Sequence, residues 1–88
     1  MNDLIVNKTP NTPQIELNST TGVLKFEGRS IPENPGTFYS PVFEWVEPYY
    51  KQSKKLTRIE IKFENLNSGS TKFLLEFFRI IKTNYEKG

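Results

Sequence analysis

The stretch that decides the fold is residues 58–74, which read RIEIKFENLNSGSTKFL. In its first half, the apolar residues Ile59, Ile61 and Phe63 alternate with charged residues, and this period of two predicts a β-strand with one wet face. After a polar turn, apolar residues recur at spacings of three and four and predict a helix over residues 70–86. The polar turn therefore lies where a strand ends and a helix begins.

The turn is rich in hydroxyl side chains. Backbone N–H groups without intrahelical partners and the positive end of the helix dipole meet at such a position. A turn of this kind caps its own helix, binds an anion or carries a covalently attached phosphate. Ser68 is therefore either a capping residue or a phosphorylation site, and the two roles are compatible. The residues expected to shape the turn and surround a phosphate are Asn67, Gly69, Thr71 and Lys72.

A second helix is predicted over about residues 36–51. Its apolar stripe has helical period and suits a protein core; the residues of the stripe are Phe38, Val42, Trp45, Val46 and Tyr49. Pro41 leaves two interpretations open, because a proline either kinks a helix or occupies its first position. In the second case the helix starts late, with Ser40 as its N-cap.

Three aromatic residues, Tyr39, Phe43 and Tyr50, lie off this stripe. If they are exposed together near Ser68, they form a partner surface, since aromatic side chains are enriched at protein interfaces. Packing in the core is the alternative, and for Phe43 it is the favoured one.

Nearer the N-terminus, alternating residues at 14–18 and 24–27 predict a β-hairpin, preceded by a short strand at 3–7. The order of hairpin, helix, strand and helix implies a parallel crossover. We therefore predict an α/β fold of two layers, with a mixed sheet and both helices on one face. Residues 1–88 are expected to form a single domain.

Composition argues against several functions. The chain has 88 residues with no cysteine and no histidine, so the commonest metal ligands and the usual general base are missing. We expect no enzyme, no metal and no cofactor. The net charge of +2 is too small to indicate nucleic-acid binding. No apolar run is long enough to span a bilayer and no signal-peptide pattern is visible, so a cytoplasmic protein is expected.

An ordered series of short motifs resembles one protein family. The motifs are Thr12-Pro13-Gln14-Ile15, Thr21-Gly22-Val23-Leu24, Gly28-Arg29-Ser30, Pro32-Glu33-Asn34, Phe38-Tyr39 with Pro41, Phe43-Glu44-Trp45 and Asn67-Ser68-Gly69-Ser70. From about residue 7 to its end, the chain resembles the SiaC-type bacterial regulatory phosphoproteins. These are relatives in fold of the STAS-like anti-sigma-factor antagonists, so the resemblance implies a STAS-like fold.

The resemblance implies a phosphorylation switch. In that family, a hydroxyl residue after the turn asparagine is phosphorylated by a dedicated protein kinase and dephosphorylated by a PP2C-type phosphatase. The unmodified protein binds and activates a diguanylate cyclase, which makes cyclic di-GMP and connects the switch to biofilm regulation. Carried onto this sequence, the acceptor is Ser68 with Ser70 in reserve. Family members commonly carry Thr at the position of Ser68 and a second hydroxyl residue at that of Gly69.

Length is a further departure from the family pattern. Family members continue with more strand and helix, whereas this sequence stops at Gly88, so the resemblance implies that the C-terminal part of the family fold is missing. The strand containing Ile59 and Phe63 would then lie at an open sheet edge. Because open edges invite pairing with another chain, we expect a homodimer through that edge.

Overall fold

The computed structural model describes residues 2–51 and 57–86. Its elements are β1 (Leu4–Val6), β2 (Gln14–Asn18), β3 (Val23–Ser30), α1 (Pro35–Lys51), β4 (Arg58–Leu66) and α2 (Ser68–Glu86). The predicted types and order of these elements are confirmed. The main differences are at the boundaries, because β3 continues to Ser30 and both helices begin before their predicted first residues.

The described strands form one mixed sheet in the order β1-β2-β3-β4. β1 pairs with β2 and β2 with β3 in antiparallel fashion, whereas β3 and β4 are parallel, as the crossover prediction required. The register puts Ile15 opposite Phe26, and Phe26 opposite Ile61. The apolar residues of β2, β3 and β4 therefore share one face of the sheet.

Both helices cover that apolar face. The Phe26 ring lies at the centre of the contact, with ring centroids 6.0 Å from Phe73 and 5.3 Å from Phe77 of α2. α1 lies toward the β1 side, where the Trp45 indole Nε1–H donates to the carbonyl of Asn2 at 2.8 Å. The two-layer α/β prediction is thus confirmed.

The start of α1 decides between the two interpretations of Pro41. Asn34 is the N-cap, because its Oδ1 accepts a hydrogen bond from the N–H of Thr37 at 3.2 Å, and Pro35 takes the first helical position. The helix then continues through Pro41 and Pro48. The late start with Ser40 as N-cap is therefore wrong.

The buried face of α1 also corrects the predicted partner surface. Tyr39 is only 1% exposed and belongs to the core, on the same helical stripe as Val42, Val46 and Tyr49. Phe43 and Tyr50 are partly buried and pack against that core. The prediction of an exposed aromatic group is therefore wrong for Tyr39, and Phe43 packs as the favoured alternative expected.

Candidate functional site at the start of α2

Asn67 organises the turn between β4 and α2. Its Oδ1 accepts a hydrogen bond from the N–H of Ser70 at 2.9 Å, which makes Asn67 the N-cap of α2. Its Nδ2 donates to the carbonyl of Pro32 at 2.8 Å, and its backbone N–H donates to the carbonyl of Ser30 at 3.1 Å. One side chain thus caps α2 and attaches it to the segment that leads into α1.

Ser68 occupies the first helical position of α2 and is exposed. The expectation that Ser68 caps the helix is wrong, because Asn67 has that role. Thr71 and Lys72, in the following turn, are also exposed, and the Thr71 hydroxyl donates to the carbonyl of Asn67 at 3.3 Å. Ser68 and Lys72 are four residues apart and therefore lie on the same side of the helix.

Ser70, two residues further on, is fully buried in a chain of hydroxyl groups. The Ser30 hydroxyl donates to Ser70 Oγ at 2.7 Å and is also hydrogen-bonded to the Tyr39 hydroxyl. Since Ser30 has a single hydroxyl proton, Tyr39 is the donor in the second bond. The chain joins the end of β3, α1 and α2 below the turn. A kinase would reach Ser70 only after α2 had opened.

Tyr39 stays protonated in this environment. Burial raises the pKa of its hydroxyl, and the hydrogen bonds with Ser30 and Ser70 oppose that effect only in part. Its ring stacks on Phe73 with the centroids 3.6 Å apart and the planes 9° from parallel. The hydroxyl chain is therefore a neutral, satisfied polar contact inside an aromatic core.

Gly69 marks the point where the two helix starts touch. A Cβ atom at this position would lie 2.4 Å from Pro35 Cγ and 2.9 Å from Pro35 Cβ, well inside van der Waals contact. Only glycine allows this approach, which brings the first turns of α1 and α2 together. The positive ends of two helix dipoles therefore meet beside Ser68.

We expect Asn67→Ala to destabilise the protein by about 1–2 kcal/mol, because the substitution removes a helix cap and leaves the Pro32 carbonyl without its donor. The measurement is urea unfolding followed by circular dichroism. Asn34→Ala is the matched control, since it removes the same kind of cap from α1, and we expect it to cost about 1 kcal/mol or less. Equal losses of unfolding free energy for the two substitutions would show that the hydrogen bond to Pro32 does not contribute to stability.

Two further kinds of site are absent from the part of the chain that the structure describes. Residues 2–51 and 57–86 contain no group of three or more His, Cys, Asp or Glu side chains placed to hold a metal ion. Within the same residues, neither helix combines the length and the apolar character that a bilayer span requires.

The family model for SiaC family regulatory phosphoproteins matches residues 6–88. Because this match spans nearly the whole chain, the protein belongs to the SiaC family of regulatory phosphoproteins. This confirms the resemblance found in the sequence. The family description also agrees with the expectation of a regulatory protein.

Individual relatives come from Pseudomonas aeruginosa. An uncharacterized protein of strain UCBPP-PA14 is 26% identical over 88 residues, which are 100% of this chain and 70% of the relative. The crystal structure of apo-SiaC superposes with a TM-score of 0.95 at 26% identity, covering 100% of this chain and 73% of SiaC. A structure of diguanylate cyclase SiaD in complex with its activator SiaC matches with a TM-score of 0.92 at 26% identity, over 98% of this chain and 70% of the matched chain.

Proposed function

We propose that this chain binds and regulates an effector protein, and that phosphorylation of Ser68 switches the binding. The observation that carries the proposal is the contrast between two neighbouring hydroxyl groups. Ser68 is exposed at the first position of α2, whereas Ser70 is fully buried. Ser68 is therefore the acceptor that a kinase reaches without disturbing the fold, and Ser70 is the weaker candidate.

The surroundings of Ser68 favour a phosphate. A phosphoserine carries a charge of about −1.5 to −2 at pH 7, and the positive end of a helix dipole stabilises it. The cap does not depend on the Ser68 side chain, because the capping oxygen belongs to Asn67. Lys72, one turn further on, provides a cation on the same side of the helix. Phosphorylation should therefore leave α2 intact and act on a partner surface.

The proposed effector is a diguanylate cyclase. SiaC from Pseudomonas aeruginosa is described as the activator of the cyclase SiaD, and this chain shares its family and fold. On this proposal the unmodified chain activates a cyclase in the cytoplasm, a protein kinase and a PP2C-type phosphatase act on Ser68, and cyclic di-GMP carries the signal toward biofilm formation. A second candidate function is a small-molecule-binding or scaffold domain in which the serine turn is only a helix cap. It is less well supported, because the capping oxygen belongs to Asn67 and not to Ser68.

We expect Ser68→Ala to abolish phosphorylation while leaving the fold unchanged. The chain is incubated with ATP and a candidate kinase, and intact-mass spectrometry counts the phosphates added. Thr71→Ala is the matched control, since it removes an exposed hydroxyl from the same turn and should be phosphorylated like the unmodified sequence. Phosphorylation of Ser68→Ala at the full level would place the acceptor elsewhere.

A further inference from the structure

The outer face of α1 carries polar residues at heptad spacing. Positions that recur at intervals of three and four residues line one side of a helix. The residues at these positions of α1 are all exposed: Thr37, Ser40, Glu44, Glu47 and Lys51. The buried residues of α1, such as Val42 and Val46, lie on the opposite side. The outer face of α1 is therefore a continuous polar surface.

Two carboxylates on this face have no cation beside them. Glu44 and Glu47 form no ion pair with another residue of 2–51 or 57–86, although several other carboxylates in this part of the chain do. Lys51 lies one turn after Glu47 and is not ion-paired with it. The stretch of the outer face from Thr37 to Glu47 is therefore negatively charged.

Two prolines add backbone acceptors to the same face. Pro41 and Pro48 lie inside α1 and have no N–H to donate. Because each N–H of an α-helix donates to the carbonyl four residues earlier, the carbonyls of Thr37 and Glu44 lack their intrahelical donors. The two carbonyls are two turns apart, about 10.5 Å along the helix. Water or a donor from a partner has to satisfy them.

A groove beside the outer face provides a place for an apolar side chain. Its lining residues are Gly36, Ser40, Phe43, Glu44 and Glu47. Phe43 is partly buried, and its ring centroid lies 5.2 Å from that of Phe73. Because Phe73 belongs to α2, the groove lies on the side of α1 that faces α2. Gly36 and Ser40 are small and leave room next to the Phe43 ring.

We propose that the outer face of α1 binds a basic helix of a partner protein. Two arginine side chains of that helix, seven residues apart, donate to the carbonyls of Thr37 and Glu44. An apolar side chain between the two arginines lies in the groove against Phe43. This is the binding of an amphipathic helix in a groove, in which the anchoring residues are spaced by whole turns. The proposal does not depend on Ser68 or on the identity of the effector.

The charge of the outer face selects the partner. An acidic helix would place like charges against Glu44 and Glu47, which is strongly unfavourable at an interface. Arginine fits these acceptors because its guanidinium group has five N–H donors and binds carboxylates in a bidentate manner. One guanidinium near Glu44 can donate to the carbonyl and to the carboxylate of that residue. The arrangement therefore favours arginine at this position of the partner.

A synthetic peptide tests the proposal without knowledge of the natural partner. The probe is an alanine-rich helix with two arginines seven residues apart and a leucine between them. The control peptide has the same composition, but its arginines lie on opposite sides of the helix. We expect the probe to shift the amide resonances of an isotope-labelled chain within α1, with a Kd about tenfold lower than that of the control peptide. Nuclear magnetic resonance titration measures both.

Removal of single carboxylates tests the role of charge. We expect Glu44→Gln and Glu47→Gln each to weaken binding of the probe about threefold, as for the loss of one exposed ion pair. Glu16→Gln is the matched control. Glu16 is also exposed but lies on β2 between the buried residues Ile15 and Leu17, so its side chain is on the sheet face away from the helices. Its substitution should leave the Kd unchanged.

Pro48→Ala separates binding from stability. The substitution supplies an N–H that donates to the Glu44 carbonyl and so removes this acceptor from the outer face. We expect the midpoint of thermal unfolding to rise, because alanine is far better than proline inside a helix. We expect binding of the probe to weaken about threefold, because one hydrogen bond to the partner is lost. A variant that is more stable and yet binds less well cannot be explained by damage to the fold.

Four results would overturn the proposal. They are equal binding of the probe and the control peptide, resonance shifts centred outside α1, an unchanged Kd for Glu44→Gln and Glu47→Gln, and an unchanged Kd for Pro48→Ala. None of these measurements involves phosphorylation, so each leaves the Ser68 proposal intact.

Discussion

Phe26→Ala should destabilise the protein by about 3–5 kcal/mol, the range for removing a buried phenylalanine side chain. Phe26 is 0% exposed, and its ring contacts Phe63 of β4 as well as Phe73 and Phe77 of α2. The substitution therefore opens a cavity where the sheet meets α2. Since domains of this size are stable by only about 5–15 kcal/mol, a large fraction of the total is lost. Urea unfolding followed by circular dichroism measures it.

Leu75→Ala is the control for this prediction. Leu75 is 69% exposed on the outer side of α2, so its truncation should change the free energy of unfolding by less than about 0.5 kcal/mol. A loss for Phe26→Ala as small as that for Leu75→Ala would mean that the aromatic cluster does not stabilise the contact between sheet and helix.

Gly69→Ala should destabilise the protein by about 1–3 kcal/mol, although alanine is the better helix former by about 1 kcal/mol. The added Cβ would lie 2.4 Å from Pro35 Cγ, which belongs to a rigid ring at the start of α1. One helix start has to move away from the other, and the turn that presents Ser68 moves with it. Thermal unfolding measures the loss of stability.

Gly36→Ala tests whether this loss comes from the contact with Pro35. Gly36 is the second residue of α1, as Gly69 is the second residue of α2. A Cβ at Gly36 would lie 3.7 Å from Asn34 Oδ1, an ordinary contact distance. Gly36→Ala should therefore be neutral or stabilising by up to about 1 kcal/mol. Stabilisation by both substitutions would contradict the steric argument.

The elements of the fold were predictable because their periods are regular. In β4 apolar and charged residues alternate, and in α2 apolar residues recur at spacings of three and four. Both are local patterns that arise because one face of each element is buried. The first residue of α1 was also predictable from the sequence, because Asn34 followed by Pro35 is a typical pair of N-cap and first helical residue. The position of Tyr39 was missed for another reason: the predicted stripe runs through Phe38, whereas the buried residues of α1 begin with Tyr39.

The site was less predictable, because its properties depend on contacts between distant residues. Ser68 and Ser70 look equivalent in the sequence, and which of them is buried depends on the hydroxyls of Ser30 and Tyr39. The need for glycine at position 69 comes from Pro35, more than thirty residues earlier. Nothing in a local pattern signals either contact.

The close approach of Gly69 to Pro35 affects how a binding partner would recognise phosphorylation of Ser68. With both helix starts held together, a phosphate on Ser68 would alter the local electric field while the backbone beneath it keeps its shape. A binding partner would then distinguish the phosphorylated chain from the unmodified chain by Coulomb repulsion rather than by a change in backbone geometry. Since mobile ions screen such forces beyond about 8 Å at physiological ionic strength, the discrimination would weaken as salt is added.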